Sequence, residues 1–276
     1  MSICMEKQNS CRFHFTGSVS VSDENSLNYY SLSKEGFNKI KNDGKTPIAV
    51  DESQKFYAFK GMNDEGLTVE IRKSETSKTI ELEHDASSVL SGCFLNDGSF
   101  AMLLVNDESS LKRSYVVSVS DKGYSEFTGY TVGEENTKDL FRRLLSLGAV
   151  IERPTSIQCH GDNIYILSHR IFSDMMTVVV HKLDRSAKKI EFVTGYHPIK
   201  TKSKVSLHFQ EKDNTLYVYS ENKLVMVRGL SFPANMMFNE PGEVLFLDDR
   251  EGVGTYLYFI PDNKAPGESQ IRQIRF

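Results

Sequence analysis

Acidic residues recur at the turns between pairs of short apolar runs, and their carboxylates are the groups here that could bind a metal or transfer protons. Carboxylate oxygens are the ligands that calcium prefers in proteins. Asp is also favoured in tight turns, because its side chain bonds nearby backbone N–H groups. We therefore predict turn formation, and no metal-ligating or catalytic role, for the six that recur once per unit: Asp23, Asp51, Asp97, Asp162, Asp213 and Asp248.

Three catalytic motifs with a known physical mechanism are absent from the chain. The sequence contains no nucleophile elbow G-x-S-x-G, no phosphate loop G-x-x-x-x-G-K-[ST] and no zinc motif H-E-x-x-H. We therefore expect no enzyme activity, no catalytic residue and no bound cofactor.

Positive charge is concentrated between Lys182 and Lys204, where seven Lys and Arg residues face two acidic ones in a chain of net charge −4. Phe192, Tyr196 and His197 lie among them. Basic charge with interleaved aromatics is typical of surfaces that bind phosphate, RNA or acidic protein. Lysines also protect the exposed edges of outer strands, so a merely solvated face is the alternative. The candidate partner contacts are Lys188, Lys189, Lys200 and Lys202.

One helix is predicted, as an insertion at about residues 132–150. Residues 136–139 can cap it, and Gly148 stands at the position that ends a helix. Four apolar residues share one face, and two arginines lie off that face. The apolar face either packs on its own domain or docks a partner. The candidate contacts on this helix are Phe141, Arg142, Arg143, Leu144 and Leu145.

The elements that must position these residues are short strands. Apolar runs rich in β-branched and aromatic residues, such as 100–105 and 164–167, alternate with polar turns. Six strand–turn–strand units follow one another, with turn centres near residues 23, 52, 97, 161, 213 and 250. Their mean spacing of about 45 residues is what four short antiparallel strands need.

Three irregular places carry their own predictions. The first unit is too short for four strands, so we expect three. The last unit lacks a strand, which Arg12–Phe15 from the other end of the chain can supply, removing an open edge. The stretch from Ser231 to Phe238 is apolar, unpatterned and contains a proline, so we expect a loop.

From residue 12 to residue 276 this rhythm resembles that of β-propeller repeat proteins. The resemblance is WD-repeat-like in spacing, although the Gly-His and Trp-Asp signatures are absent. It implies an all-β, six-bladed ring, with five or seven blades possible, in one domain after a tail of residues 1–11. A large β-sandwich, or two β-domains divided near Gly133–Gly148, is the alternative.

The resemblance also implies function. Propellers display loops on a rigid ring, which favours a non-enzymatic scaffold that docks another protein. Six-bladed hydrolases and lactonases often hold calcium in the central tunnel, so a metal-assisted hydrolase or lactonase with an acidic site in that tunnel is the alternative. RNA or phosphate binding through residues 182–204 is the second alternative, although the near-neutral net charge makes nucleic acid an unexpected partner.

Cysteine usage and hydropathy predict the compartment. No apolar run approaches the ~18 residues of a membrane span, and no secretory leader is visible. The four cysteines, Cys4, Cys11, Cys93 and Cys159, show no C-x-x-C spacing. We therefore expect free thiols and a cytoplasmic protein, with the nucleus or delivery into another cell left open.

Overall fold

The structure is a computed structural model, and every regular element that it describes is a β-strand. The described residues are 10–13, 18–22, 27–33, 36–41, 43–50, 56–63, 66–73, 76–81, 88–106, 113–120, 123–130, 151–172, 174–184, 189–200, 205–211, 213–228, 235–250, 254–262 and 272–275. Within these ranges there is no helix of the length and apolar character needed to cross a membrane.

The described residues form twenty-three strands in six antiparallel sheets, which we call A to F, and each sheet uses strands that are consecutive in sequence. Sheet A contains β1 (Ser10–Phe13), β2 (Ser18–Ser22), β3 (Leu27–Ser33) and β4 (Gly36–Ile40). Sheet B contains β5 (Thr46–Val50), β6 (Phe56–Asn63), β7 (Gly66–Lys73) and β8 (Thr76–Glu81). Sheet C contains β9 (Ser88–Phe94), β10 (Phe100–Asn106), β11 (Arg113–Ser120) and β12 (Gly123–Tyr130).

The second half of the chain repeats this plan. Sheet D contains β13 (Ile151–His160), β14 (Asn163–Phe172), β15 (Met175–Asp184) and β16 (Lys189–Lys200). Sheet E contains β17 (Val205–Gln210), β18 (Thr215–Ser220), β19 (Lys223–Arg228) and β20 (Asn235–Asn239). Sheet F contains β21 (Gly242–Arg250), β22 (Gly254–Pro261) and β23 (Arg272–Arg275).

The turn between β9 and β10 shows how the local sequence sets the hairpins. The Asp97 carboxylate accepts a hydrogen bond of 2.9 Å from the backbone N–H of Ser99, as expected for an Asp that stabilises a turn. Gly98 has a φ of +78°, a conformation that other L-residues rarely adopt. The Gly98 N–H donates to the carbonyl of Leu95 at 2.9 Å and closes the turn.

Each sheet packs on the next in chain order, because its central strands are apolar on both faces. In sheet C, Met102 and Leu104 of β10 belong to the core shared with sheet B. Ala101 and Leu103 of the same strand belong to the core shared with sheet D. Three further clusters join the other neighbouring sheets: A and B meet at Tyr29 and Phe59, D and E at Leu167 and Phe209, and E and F at Tyr217 and Ile274.

This arrangement of small antiparallel sheets is a β-propeller, and the predicted all-β fold is confirmed. The alternative of a large β-sandwich is wrong, because the sheets pack in series. Leu103 and Ile166, which lie on opposite sides of the division proposed near Gly133–Gly148, belong to one core cluster. The predicted helix at 132–150 lies outside the described residues.

Sequence predictions are wrong at four points: the strand number of the first unit, the strand that completes the last unit, the loop from Ser231 to Phe238, and the turn at Asp248. β1 pairs with β2 and gives sheet A four strands, so Arg12 and Phe13 do not complete the last sheet. The described residues give sheet F three strands. The end of the expected loop, Asn235–Asn239, is β20 and pairs with β19. Asp248 lies inside β21, opposite Tyr256, and not in a turn.

Candidate functional site

The first strands of sheets B to F are the inner strands, since successive members approach one another directly. β5 approaches β9, β9 approaches β13, and β17 approaches β21, while side-chain hydrogen bonds join β13 to β17. In a propeller such strands surround the central channel. Each therefore presents an edge whose backbone groups need partners from outside their own sheet.

Between β9 and β13, the Ser91 side chain hydrogen-bonds both backbone groups of Ile157, which lies on the edge of β13. The Ser91 hydroxyl donates to the carbonyl of Ile157 at 3.3 Å and accepts from its backbone N–H at 3.2 Å. One turn beyond the strands, the Asn96 N–H donates to the carbonyl of Gly161 at 3.1 Å. These contacts hold β9 beside β13 and fix which residues of the two strands lie next to each other.

Cys93 and Cys159 lie between those two contacts and are joined by a disulfide, with their Cα atoms 5.6 Å apart. The prediction of free thiols is therefore wrong for this pair. The two residues are 66 positions apart in sequence, so no local spacing could reveal the pairing. Cys93 and Cys159 are both half-buried against the core that sheets C and D share.

Between β13 and β17, the side chains of Gln158 and His160 bond the backbone edge of β17. The Gln158 side-chain oxygen accepts from the Phe209 N–H at 2.9 Å. Nε2 of His160 lies 2.9 Å from the Phe209 carbonyl, which can only accept, so Nε2 carries the proton in this contact. The amide nitrogen of Gln158 also lies 3.4 Å from Nδ1 of His208. The backbone N–H and carbonyl of Phe209 are thus both hydrogen-bonded to side chains of β13, the first to Gln158 and the second to His160.

Beyond this edge, the Glu211 carboxylate fixes the turn end of the interface between sheets D and E. One of its oxygens accepts from the Asn163 amide and from the Tyr165 hydroxyl, each at 2.6 Å. Burial first, and then the bond and charge of Glu211, raise the pKa of the Tyr165 phenol. The Tyr165 ring packs 4.7 Å from that of Phe209 and lies 5.8 Å from the Lys182 ammonium.

A second polar cluster fixes sheet B to the connection that follows sheet A. The buried Glu70 carboxylate accepts from Nε of Arg72 at 2.7 Å and from Nζ of Lys45. Arg72 also contacts the Asp43 carboxylate at 2.9 Å and donates to the Lys41 carbonyl, so it reaches the connection between the sheets. The hydrogen bond from Arg72 holds the pKa of Glu70 below its ordinary value, although burial opposes this.

The chemistry of both clusters is structural, since the groups described are donors and acceptors bonded across interfaces between sheets. A catalytic site needs a nucleophile or base directed at a space for substrate. Across the described part of the chain, no group of three or more His, Cys, Asp or Glu side chains could hold a metal ion. Of the recurrent acidic residues, Asp97 bonds within its own turn, while Asp23 and Asp51 lie outside the described residues.

The structure describes two of the candidate lysines and places them at opposite ends of one strand. Lys189 begins β16 and Lys200 ends it, at most about 36 Å apart along an extended strand. β16 is the outer strand of sheet D, and Lys200 is exposed at its end. Phe192 lies between the two lysines and is 52% exposed.

The remaining candidate contacts lie outside the described residues. They are Lys188, Lys202, Phe141, Arg142, Arg143, Leu144 and Leu145.

Sequence reasoning missed a β-bulge that recurs in the inner strands, where one extra residue interrupts the pairing. A bulge bends its strand and redirects a side chain. Leu90, the extra residue in β9, is 46% exposed, and Thr155 in β13 is exposed and donates to the Leu167 carbonyl at 3.1 Å. The four bulged residues are Ile48, Leu90, Thr155 and Leu245.

Comparison with known proteins finds similar folds at low sequence identity. No family model matches the chain, and no curated protein matches it. Among solved structures, the Nup133 β-propeller domain of Vanderwaltozyma polyspora is 11% identical, with 91% of this chain and 79% of that chain covered and a TM-score of 0.44.

Two further similar structures are a domain of a protease and a peptidase. The β-propeller domain of the trilobed protease from Pyrococcus furiosus is 10% identical, with 97% and 98% covered and a TM-score of 0.46. Prolyl oligopeptidase B from Galerina marginata is 12% identical, with 97% of this chain and 42% of that chain covered and a TM-score of 0.47. The similarity to all three lies in the fold.

Proposed function

We propose that this chain is a non-enzymatic scaffold that binds another protein through the surface of a propeller ring. The observation that carries the proposal is the use of polar side chains at the interfaces between sheets. Ser91, Gln158 and His160 bond the edges of inner strands. Glu70 and Glu211 anchor turns and connections in the same way. Groups that resemble catalytic side chains thus stabilise a frame, and rigid frames with exposed loops are typical of binding proteins.

The first proposed contact surface is the basic outer strand of sheet D, which we call the β16 surface. It comprises Lys188, Lys189, Lys200 and Lys202, with Phe192 between them. Lys189 and Lys200 stand at opposite ends of β16, so a surface that includes both suits an acidic partner extending along the strand better than a single bound ion. Opposite charge steers association and fixes orientation, while a half-exposed aromatic residue supplies apolar contact area.

The second proposed surface is the helix inserted at about residues 132–150. Its apolar residues Phe141, Leu144 and Leu145 would enter a groove on the partner, and Arg142 and Arg143 would flank them. This is the way in which amphipathic helices dock. We propose that one domain, residues 12–276, carries both surfaces.

The experiment compares affinity capture by the whole protein with capture by two charge-reversal variants. The first variant changes all four lysines of the β16 surface to Glu. The matched control changes four other exposed lysines to Glu: Lys39, Lys41, Lys73 and Lys223. We expect a captured protein that the control retains and the β16 variant loses, at least tenfold in affinity.

Equal capture by both variants would remove the β16 surface from the proposal. A third variant, with Phe141, Leu144 and Leu145 changed to Ser, tests the helix in the same assay. If no protein depends on either surface, the scaffold proposal fails. Binding of poly(U) RNA that weakens steeply with salt would favour the nucleic-acid alternative.

A further inference from the structure

We infer that Cys93 and Cys159 form a redox-sensitive cross-link between sheets C and D, closed by oxidation and opened by reduction of the folded protein. The evidence is the position of the pair within an interface that other contacts already hold. Ser91 bonds Ile157 two residues before the cysteines on both strands. Asn96 bonds Gly161 just beyond them.

These contacts place the two thiols opposite each other without help from the S–S bond. Ser91 and Ile157 are separated by 66 residues, and the same separation applies to Cys93 and Cys159. The strands therefore keep one register along the interface. Leu95, Leu103 and Ile166 bury apolar surface there as well. We expect the fold to persist when the cysteines are reduced, because none of these contacts requires the disulfide.

The pair is also accessible enough to exchange. Both cysteines are half-buried, so the core does not enclose either residue completely, and we expect a small thiol or disulfide to reach them. In the closing reaction, the thiolate of one cysteine attacks a small disulfide such as oxidised glutathione, forming a mixed disulfide and releasing one thiol. The second cysteine's thiolate then attacks the protein-bound sulfur and releases the other thiol. The protein loses two electrons and two protons, and the small disulfide gains both.

Closure connects two positions that are far apart in the sequence, which restricts the unfolded chain. The closed loop spans 66 residues. The disulfide lowers the entropy of the unfolded chain by an amount that depends on the length of this loop. Dividing the resulting free energy by the entropy of unfolding of a 276-residue domain gives a rise in Tm of roughly 7 °C.

The experiment equilibrates the purified full chain with defined ratios of reduced and oxidised glutathione, without denaturant. Free thiols are then alkylated, and peptides are mapped by mass spectrometry. We expect Cys93 and Cys159 to become protected together as the buffer becomes more oxidising. The Tm should rise over the same range, while circular dichroism stays constant.

Two double variants separate this cross-link from other thiol reactions. Changing Cys4 and Cys11 to Ser should preserve both the protection and the rise in Tm. Changing Cys93 and Cys159 to Ser should abolish both. Persistence of the rise in that second variant would overturn the inference. Alkylation of Cys93 and Cys159 in native protein under fully oxidising conditions would overturn it too, and requires no variant to fold.

Discussion

Replacing Glu70 with Gln should measurably loosen the attachment of sheet B to the connection that follows sheet A. The substitution keeps the size of the side chain and removes its charge. The Glu70 side chain is 8% exposed, while its partners Arg72 and Lys45 are 20% and 36% exposed. Both cations therefore keep some water when the carboxylate is lost, and Arg72 keeps Asp43. Loss of charged hydrogen bonds in such a setting costs about 2 kcal/mol.

For a chain of 276 residues, this cost corresponds to a fall in Tm of about 3 °C. The assays are thermal unfolding for the Tm and urea unfolding for the free energy, both followed by circular dichroism, since the chain has no tryptophan. The matched control is Glu191→Gln, which removes an exposed carboxylate from β16 and should change stability by less than about 0.5 kcal/mol.

The difference in stability between the wild type and Glu70→Gln must also decrease as the pH falls. The pKa of Glu70 is lower in the folded protein than its ordinary value of 4.5, so the unfolded chain takes up the proton more readily. The stabilisation is therefore complete above that ordinary pKa, and it is lost as the pH falls through the folded pKa. The wild type and Glu70→Gln should differ at pH 7 and converge in acid. An unchanged difference down to pH 3.5, or no difference at pH 7, would refute this reasoning.

Three other substitutions test separate parts of the structure. Glu221 has a φ of +52° in a tight turn, so Glu221→Asn should raise the free energy of unfolding by about 0.5 kcal/mol in urea titrations; a decrease would contradict the turn assignment. A Cβ on Gly92 would lie 2.2 Å from the Phe100 ring, so Gly92→Ala should cost about 1–3 kcal/mol in the same assay, and a neutral result would contradict the packing of β9 on β10. Tyr165→Phe removes the bond to Glu211 and should cost about 1 kcal/mol. Because burial also raises the pKa of Tyr219, ultraviolet titration should show one fewer tyrosine with a raised pKa in that variant than in the wild type.

The hairpins could be predicted from the sequence because the residues that specify their strands and turns are close together in the chain. The apolar run at 100–105 follows Asp97 and Gly98, and the structure places β10 there with the turn bonds that those residues favour. Apolar residues on both faces of such a strand indicate burial between two neighbours, as Met102 and Leu103 show.

The contacts between sheets were not predictable, because they join residues that are distant in the sequence. Whether β1 pairs within its own sheet or with the last one depends on the path of the whole ring. The pairing of Cys93 with Cys159 has the same character. Gln158 and His160 did carry a weak signal, since two polar residues alternate with apolar ones on an inner strand. Nothing local specified that their partner would be the backbone of Phe209.

The most direct test of the frame is amide hydrogen exchange at Ile157 and Phe209. Both N–H groups lie on inner edges and are bonded only through side chains of the neighbouring sheet in the contacts described, by Ser91 and Gln158 respectively. We predict slow exchange at both amides in the native protein. Ser91→Ala should accelerate exchange at Ile157 alone, and Gln158→Leu at Phe209 alone. Exchange at the rate of an unstructured peptide in the wild type would show that the inner strands are not joined in this way, and a rigid ring would no longer support the proposed scaffold.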